Sequence, residues 1–226
     1  MFRTEQFTTP DEPCPYLAGR TMRLSCFYAR DVAAGELDVL LSSGWRTFGA
    51  TYFRPDCGPC RACVPLRIPV ADYRPSKSQR RTIRRNRLAE VRIGPLRYDD
   101  GVYEVYRDHS EHKFGKRVDR GSFIEGFCES SCPSLLSEYR VNGELAAAGF
   151  LNRSTHGLSS VYFCYRRRFG RWGLGVFSVS AEIGYARAQG LAYYYLGYWI
   201  ADNTSMCYKE RHRPNQKMDW ETGEWS

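Results

Sequence analysis

Three thiols at regular spacing, Cys57-Gly-Pro-Cys60-Arg-Ala-Cys63, sit in a loop marked by glycine and proline. Thiolates at such intervals can close around a tetrahedral metal, and they serve equally well as a reduced or redox-sensitive cluster. The other cysteines, Cys14, Cys26, Cys128, Cys132, Cys164 and Cys207, are scattered too unevenly for a disulfide framework. Just beyond the loop, Pro75-Ser-Lys-Ser-Gln-Arg80-Arg81-Thr-Ile-Arg84-Arg85-Asn-Arg87 gathers cations, and only Glu90 offsets the run from Arg74 to Arg92. On a helix, Arg80, Arg84 and Arg87 share one face and Arg81 with Arg85 lies beside it. Like charges at that spacing repel, so the pattern favours a phosphate-bearing partner over a merely solvated face. Four histidines, His109, His112, His156 and His212, read as surface or loop residues, and none is assigned to a metal.

The elements that hold these residues follow from pattern. Leu37, Leu40 and Leu41 have helical spacing, and Gly44 stops a short helix there. Trp45 to Phe53 is aromatic and β-branched and predicts one strand leading into the cysteine loop; Cys63 to Val70 predicts another. A helix is expected from Ser76 to about Val91, with Ser76 or Ser78 as candidate N-cap, then helices over Asp99 to about Lys113 and Asp119 to about Glu129. The remainder turns to sheet. Asn142-Gly143 is a strong hairpin signal between Leu135–Val141 and Glu144–Leu151, and Leu158 to Tyr165 continues the sheet. Gly173-Leu-Gly175 opens an apolar helix to about Ala188, and Leu191 to Tyr198 returns as a strand. Hairpin, strand, glycine turn, helix, strand is the order of an N-acetyltransferase-like core, in which the helix N-terminus cradles an anion. The expected fold is α+β, with an N-terminal cysteine-containing subdomain over residues 1–72 and an N-acetyltransferase-like mixed-sheet core over 73–226 that includes the Arg-rich helix.

Composition bounds the partners. The net charge of +8 favours a polyanion, and the 28 arginines among 33 basic residues suit bidentate phosphate contacts. No apolar run is long enough to cross a bilayer, and Met1-Phe-Arg-Thr-Glu-Gln lacks the apolar core of a secretory leader. The expectation is a cytoplasmic protein with no membrane partner.

Four pieces resemble a known family in matching order. Cys14-Pro-Tyr16-Leu precedes Arg20; Tyr52-Phe-Arg-Pro-Asp-Cys57 leads through Cys60 and Cys63 into Leu66-Arg-Ile-Pro-Val70; Pro75-Ser-Lys-Ser-Gln79-Arg-Arg81 follows; and Leu196-Gly-Tyr198-Trp-Ile200 leads to Met206-Cys-Tyr208-Lys209 and Pro214. Together they resemble the bacterial aspartate/glutamate leucyltransferases, relatives of the arginyltransferases. The resemblance implies transfer of leucine from leucyl-tRNA to proteins beginning with Asp or Glu, which marks them for degradation by the N-end rule. It makes tRNA the polyanion that the charged helix face, through Arg80, Arg81, Arg84 and Arg85, would bind, and it passes its C-terminal motif through Tyr198, Tyr208 and Lys209, the candidate catalytic residues. No cofactor is required for that chemistry. Cys14 becomes the fourth thiol beside Cys57, Cys60 and Cys63, a set that could bind zinc or an iron–sulfur cluster. This chain departs from the pattern at Asn203, Ser205, His212, Gln216 and the Gly173-Leu-Gly-Val176 turn, which bears on the amino acid transferred.

The reaction itself asks for little. An α-amine has a pKa of about 7.7–8.0, so roughly a tenth or more is neutral near pH 7, and the ester arrives activated. Geometry, an oxyanion donor and a proton for the ribose leaving group remain to be supplied, and Tyr162, Tyr165, Tyr198 and Tyr208 carry hydroxyls of the right kind. An acidic acceptor calls for a buried Arg or Lys, and a leucine pocket, unlike an arginine pocket, should lack a carboxylate. Three other readings compete: an arginyl-tRNA–protein transferase, a CoA-dependent acetyltransferase, and a non-catalytic RNA-binding protein. Gly170 stands where CoA binding would want Arg or Gln, and plain RNA binding has no need of the block from Leu196 to Lys209.

Overall fold

The computed structural model describes residues 1–226. Its N-terminal part is organised around one seven-residue strand. The short strands β1 (Phe2–Arg3) and β2 (Phe7–Thr8) both run antiparallel to β5 (Leu24–Arg30), and a ribbon of β3 (Glu12–Pro13) with β4 (Thr21–Met22) carries the Cys14 loop. Helix α1 (Ala34–Ser42) starts where the Glu36 carboxylate accepts the Ala33 amide at 2.9 Å, and Gly44 follows its end as expected. Gly44 has φ +78°, and a Cβ there would lie 2.8 Å from the Trp220 ring, so no other residue fits. Trp45 to Phe53 is two strands instead of one. β6 (Arg46–Phe48) and β7 (Thr51–Pro55) fold back at Gly49, whose φ of +58° and close approach to the Glu125 carbonyl exclude a side chain. Phe27, Leu37, Leu41, Trp45 and Tyr52 form the core beneath this sheet.

The chain then enters a seven-stranded sheet. Its elements are β8 (Val64–Pro69), α2 (Lys77–Arg85), β9 (Glu90–Pro95), α3 (Asp100–Phe114), α4 (Arg120–Phe123) with a π turn over Ile124–Cys128, β10 (Ser134–Val141), β11 (Glu144–Arg153) and β12 (Gly157–Tyr165). A 3₁₀ turn over Arg167–Trp172 leads to α5 (Leu174–Ala188) and β13 (Tyr193–Trp199); a second over Cys207–Arg211 leads to β14 (Gln216–Lys217). The strand order is β14-β8-β13-β12-β11-β10-β9. All neighbours are antiparallel except β12 and β13, which need the α5 crossover between them. The β10–β11 hairpin turns at Asn142 and Gly143 with φ of 53° and 77°. β8 lies before residue 72 yet pairs with β13, so the large sheet draws strands from both sides of that expected boundary.

Two findings differ from the sequence pattern. The helix expected to reach Val91 ends at Arg85, because Asn86 turns inward, 1% exposed, and donates to the carbonyls of Thr82 and Trp172 at 2.9 Å each. Val91 and Ile93 then join β9, an edge strand on β10. His109 and His212 are buried, not surface residues. Helix α5 is fixed to the sheet by a buried carboxylate: Glu182 accepts the hydroxyls of Ser137 at 3.0 Å, Tyr139 at 2.9 Å and Tyr194 at 2.5 Å.

Candidate active site

β12 and β13 are paired only from Gly157–Ser159 to Tyr193–Tyr195. Immediately past that point both strands are bulged, β12 between its Ser160 and Tyr162 partners on β11, and β13 between Tyr195 and Gly197. A bulge bends its strand, and two facing bulges drive the pair apart. The result is a split that opens toward Tyr165 on one side and Trp199 on the other. This opening of a parallel pair beside a glycine-started helix is the defining feature of an N-acetyltransferase-like sheet.

Arg46 of β6 reaches the closed end of the split. Its Nη1 donates to Ser159 Oγ at 2.7 Å and its Nη2 donates to the Ser160 carbonyl. Lys209 approaches from the other side and donates to the Tyr198 carbonyl at 2.8 Å. Between the cations lies Gly197, with φ +81°; a Cβ there would be 3.4 Å from Lys209 Nζ and 3.6 Å from Arg46 Nη2. Burial and the Arg46 charge push the Lys209 ammonium down to about 7, against a smaller opposing pull from Cys63. Burial likewise lowers Arg46, with Tyr198 and Tyr194 acting the other way. Arg46 is enclosed by protein yet keeps part of its surface open, as do Gly197 and Ser160.

The three expected catalytic residues are placed differently from one another. Tyr198 and Lys209 meet through the Tyr198 carbonyl, but the Tyr198 hydroxyl is committed to the Gly44 carbonyl at 2.8 Å, and burial holds its pKa well above the usual phenol value. Tyr208 is half-buried with its ring 6.4 Å from His212, and burial, then Glu182, raises it. Arg46 escaped sequence reasoning: it is one arginine among 28 on a strand, and only the tertiary fold distinguishes it. The glycine inside Leu196-Gly-Tyr198 was the one available signal, since glycine within a strand marks a bulge or close approach.

The mouth of the split is flanked by α2. Ser76 caps this helix by accepting the Gln79 amide at 3.3 Å, and Gln79 accepts the Ser76 amide in return at 2.7 Å. Gln79 is buried and also donates to the Arg211 carbonyl and to His212 Nδ1, each at 3.1 Å, so the Ser-Gln-Arg-Arg motif is tied to the C-terminal block. Arg80, Arg81, Arg84 and Arg85 are exposed. Two of them touch only backbone: Arg80 donates to the Pro75 carbonyl at 2.6 Å and Arg85 to the Arg171 carbonyl at 2.8 Å. Thr82 packs over the start of α5, where a Cβ on Gly173 would lie 3.2 Å from its methyl group. The space over that glycine turn, which a CoA pyrophosphate would occupy in an acetyltransferase, is thus taken by α2.

Cys14, Cys57, Cys60 and Cys63 line one cavity of about 120 Å³ together with Tyr198. The donor type suits a soft metal, but no three of the metal-binding side chains converge on a common point. Cys57 Sγ donates to the Arg23 carbonyl at 3.3 Å and accepts its amide at 3.4 Å, while Cys60 Sγ accepts from Arg20 at 3.3 Å. The Ala62 amide, Arg20 and Arg61 hold Cys60 below the usual thiol value; burial, then Cys57, Cys14 and Cys60, push Cys63 up to about 12. As arranged, the set does not fit a bound ion, and no chemical step is routed through one. The C-terminal departures from the motif have structural partners: Asn203 donates to the Tyr16 carbonyl at 2.8 Å, and Gln216 accepts from Arg67 at 2.8 Å.

A strand-split α+β core of this kind is an acyltransferase-type fold. Models of the arginine-tRNA-protein transferase family match the chain in two parts, the N terminus over residues 12–81 and the C terminus over residues 100–219. The aspartate/glutamate leucyltransferase of Chromobacterium violaceum is 36% identical over 224 residues, covering 96% of this chain and 93% of that one. That of Thiobacillus denitrificans is 32% identical over 222 residues, covering 96% and 92%. Among solved structures, L-PGS from Bacillus licheniformis superposes with a TM-score of 0.49 at 12% identity over 73% of this chain and 50% of that one. The chain belongs to the arginine-tRNA-protein transferase family, and it is an aminoacyl-tRNA–protein transferase. No helix is long and apolar enough to cross a membrane.

Proposed function

We propose that this chain transfers leucine from leucyl-tRNA to the α-amino group of proteins whose first residue is Asp or Glu, a modification that marks them for N-end rule degradation. The observation that carries the reading is the split between β12 and β13, with unpaired cations at its closed end and the arginine face of α2 at its mouth. A charged tRNA bound along α2 through Arg80, Arg81, Arg84 and Arg85 can present its 3′ ester to the split. The amine attacks the ester carbonyl, its proton leaves, and the ribose oxygen departs with a proton. The chain holds both partners in line and needs no strong base. Tyr198 positions Lys209 through its carbonyl, and Tyr208 is left to supply a hydroxyl donor.

For the donor, the names of the relatives point to leucine. The test gives purified protein leucyl-, methionyl- and arginyl-tRNA in turn, with peptides beginning Asp, Glu, Asn or Lys. Labelled product is expected from leucyl-tRNA with the Asp and Glu peptides. No product under any combination overturns the reading, and product from arginyl-tRNA alone overturns the donor.

A further inference from the structure

An acceptor that begins with Asp or Glu brings a carboxylate into the site, and a carboxylate is told from its amide by a cation that the amide cannot satisfy. Most cations of the fold are spoken for. Arg23 pairs with Asp56, Arg97 with Glu138, Arg107 with Glu104, Arg120 with Asp100, and Lys217 with Glu210. Arg54 lies over the Trp45 ring, and Arg67 is held between Tyr193 and Trp225. The arginines of α2 are free but exposed, where a single carboxylate gains little.

Arg46 and Lys209 differ from all of these. They sit deep in the molecule, both close to Gly197, and the groups that bear on their charge are Tyr198 and Tyr194 for Arg46 and Arg46 and Cys63 for Lys209, with no Asp or Glu among them. Two cations brought together in a low-dielectric place repel, which lowers Lys209, and an anion received between them would favour its charged form. Each is also pre-oriented. The contacts to Ser159 and Ser160 fix the guanidinium plane, and the contact to the Tyr198 carbonyl fixes the ammonium, leaving further hydrogens on both groups uncommitted. A Cβ at Gly197 would touch both groups, so an atom set over this glycine meets the two cations together, and the glycine keeps part of its surface open.

We infer that Arg46 and Lys209 form the subsite for the acidic side chain of the acceptor's first residue, received in the gap over Gly197. The inference rests on the proposed reaction for the identity of that acceptor, and it makes these residues readers of charge. An Asn or Gln side chain in the same gap would turn an amide N–H toward donors and leave both cations without a counter-charge, which is the discrimination required.

The experiment measures kcat/KM for peptides that differ only in beginning with Asp, Glu, Asn or Gln, at saturating leucyl-tRNA, for the parent protein and for Arg46→Lys, Lys209→Met and Lys209→Arg. Thermal melting and tRNA affinity check that each variant is folded. Lys209→Met is expected to lower the Asp-over-Asn ratio at least tenfold, mainly through KM, and Lys209→Arg to restore much of it. Arg46→Lys is expected to lower the ratio as well, and should it fail to fold, the Lys209 pair carries the test. A folded Lys209→Met that keeps the full ratio, or that loses Asp and Asn transfer equally, overturns the inference. A parallel titration of Asp-Ala and Asn-Ala dipeptides in the absence of tRNA separates the two claims. Preference for Asp-Ala that disappears in Lys209→Met supports the subsite even if leucine transfer fails; equal binding of both dipeptides by the parent protein overturns the subsite even if transfer succeeds.

Discussion

His212 sits 1% exposed between α2 and the C-terminal block, with its Nδ1 accepting from Gln79 at 3.1 Å and 3.3 Å from the Tyr73 hydroxyl. Burial pushes it down to about 4 from an ordinary 6.5, and burial with the Lys113 charge does the same to His109. Both are therefore neutral in the folded protein, while the unfolded chain takes up protons on them between pH 6.5 and about 4. More protons bound in the unfolded state means that stability falls as pH falls through that window, by about 1–3 kcal/mol for each residue. Urea melts at pH 7 and pH 5 should show the loss, and His212→Gln, less stable at pH 7, should show a smaller one; an equal loss in the variant would remove His212 as a cause. Neither burial was legible in the sequence, because a histidine in a polar stretch gives no sign of what packs over it. Lys209 was legible only as part of a motif, and Arg46 not at all. A cation is recognised as unusual by the absence of a carboxylate around it, and that absence exists only in three dimensions.

At the scale of elements, α2 joins three parts of the chain. Gln79 in its first turn holds the Arg211 carbonyl and the His212 ring, its Thr82 covers the start of α5, and its outer face carries the arginines. If that face meets tRNA phosphates, Arg80→Ala with Arg84→Ala should weaken tRNA binding and reduce the slope of log affinity against log salt by about 1–2. Filter binding between 50 and 250 mM salt, roughly the range over which such slopes are read, decides it, and an unchanged slope would leave the face as ordinary solvated surface. The helix itself, its Ser76 cap and the Asn142-Gly143 hairpin were legible because capping boxes and type I′ turns are local chemistry. The far end of α2 was not: propensity would have carried the helix to Val91, but Asn86 gains two carbonyl partners by turning inward, one of them on the distant residue Trp172. The same holds for Gly49, where an apparently continuous strand turns back at a positive φ and the distant Glu125 carbonyl leaves no space for a side chain.

The whole molecule assembles its site from two sheets, with Arg46 supplied by the N-terminal sheet and Gly197 and Lys209 by the large sheet and its extension. Sequence order predicts the N-acetyltransferase-like core, yet it gives no hint that β8 would cross into that sheet or that the last residues would bind the two sheets together. β14 pairs with β8; beyond it Trp220 donates to the Cys63 carbonyl at 3.0 Å, and Trp225 donates to the Ser42 carbonyl at 2.9 Å while its ring stacks on Arg67. Trp220 also fills the space over Gly44, whose carbonyl receives the Tyr198 hydroxyl. This strap therefore spans from the large sheet to α1 and fixes where Arg46 stands relative to Gly197. Removing both rings, Trp220→Ala with Trp225→Ala, should cost about 2–5 kcal/mol from lost packing and two lost hydrogen bonds. The loss should fall unequally. The arginine face of α2 is anchored to α5 inside the core, so tRNA affinity should stay within about twofold, whereas a misplacement of about 1 Å at the closed end of the split is enough to cut transfer on the order of a hundredfold. Measuring both in the folded variant is decisive: if tRNA affinity and transfer decline together, or transfer is unaffected, the strap does not set the register of the two sheets.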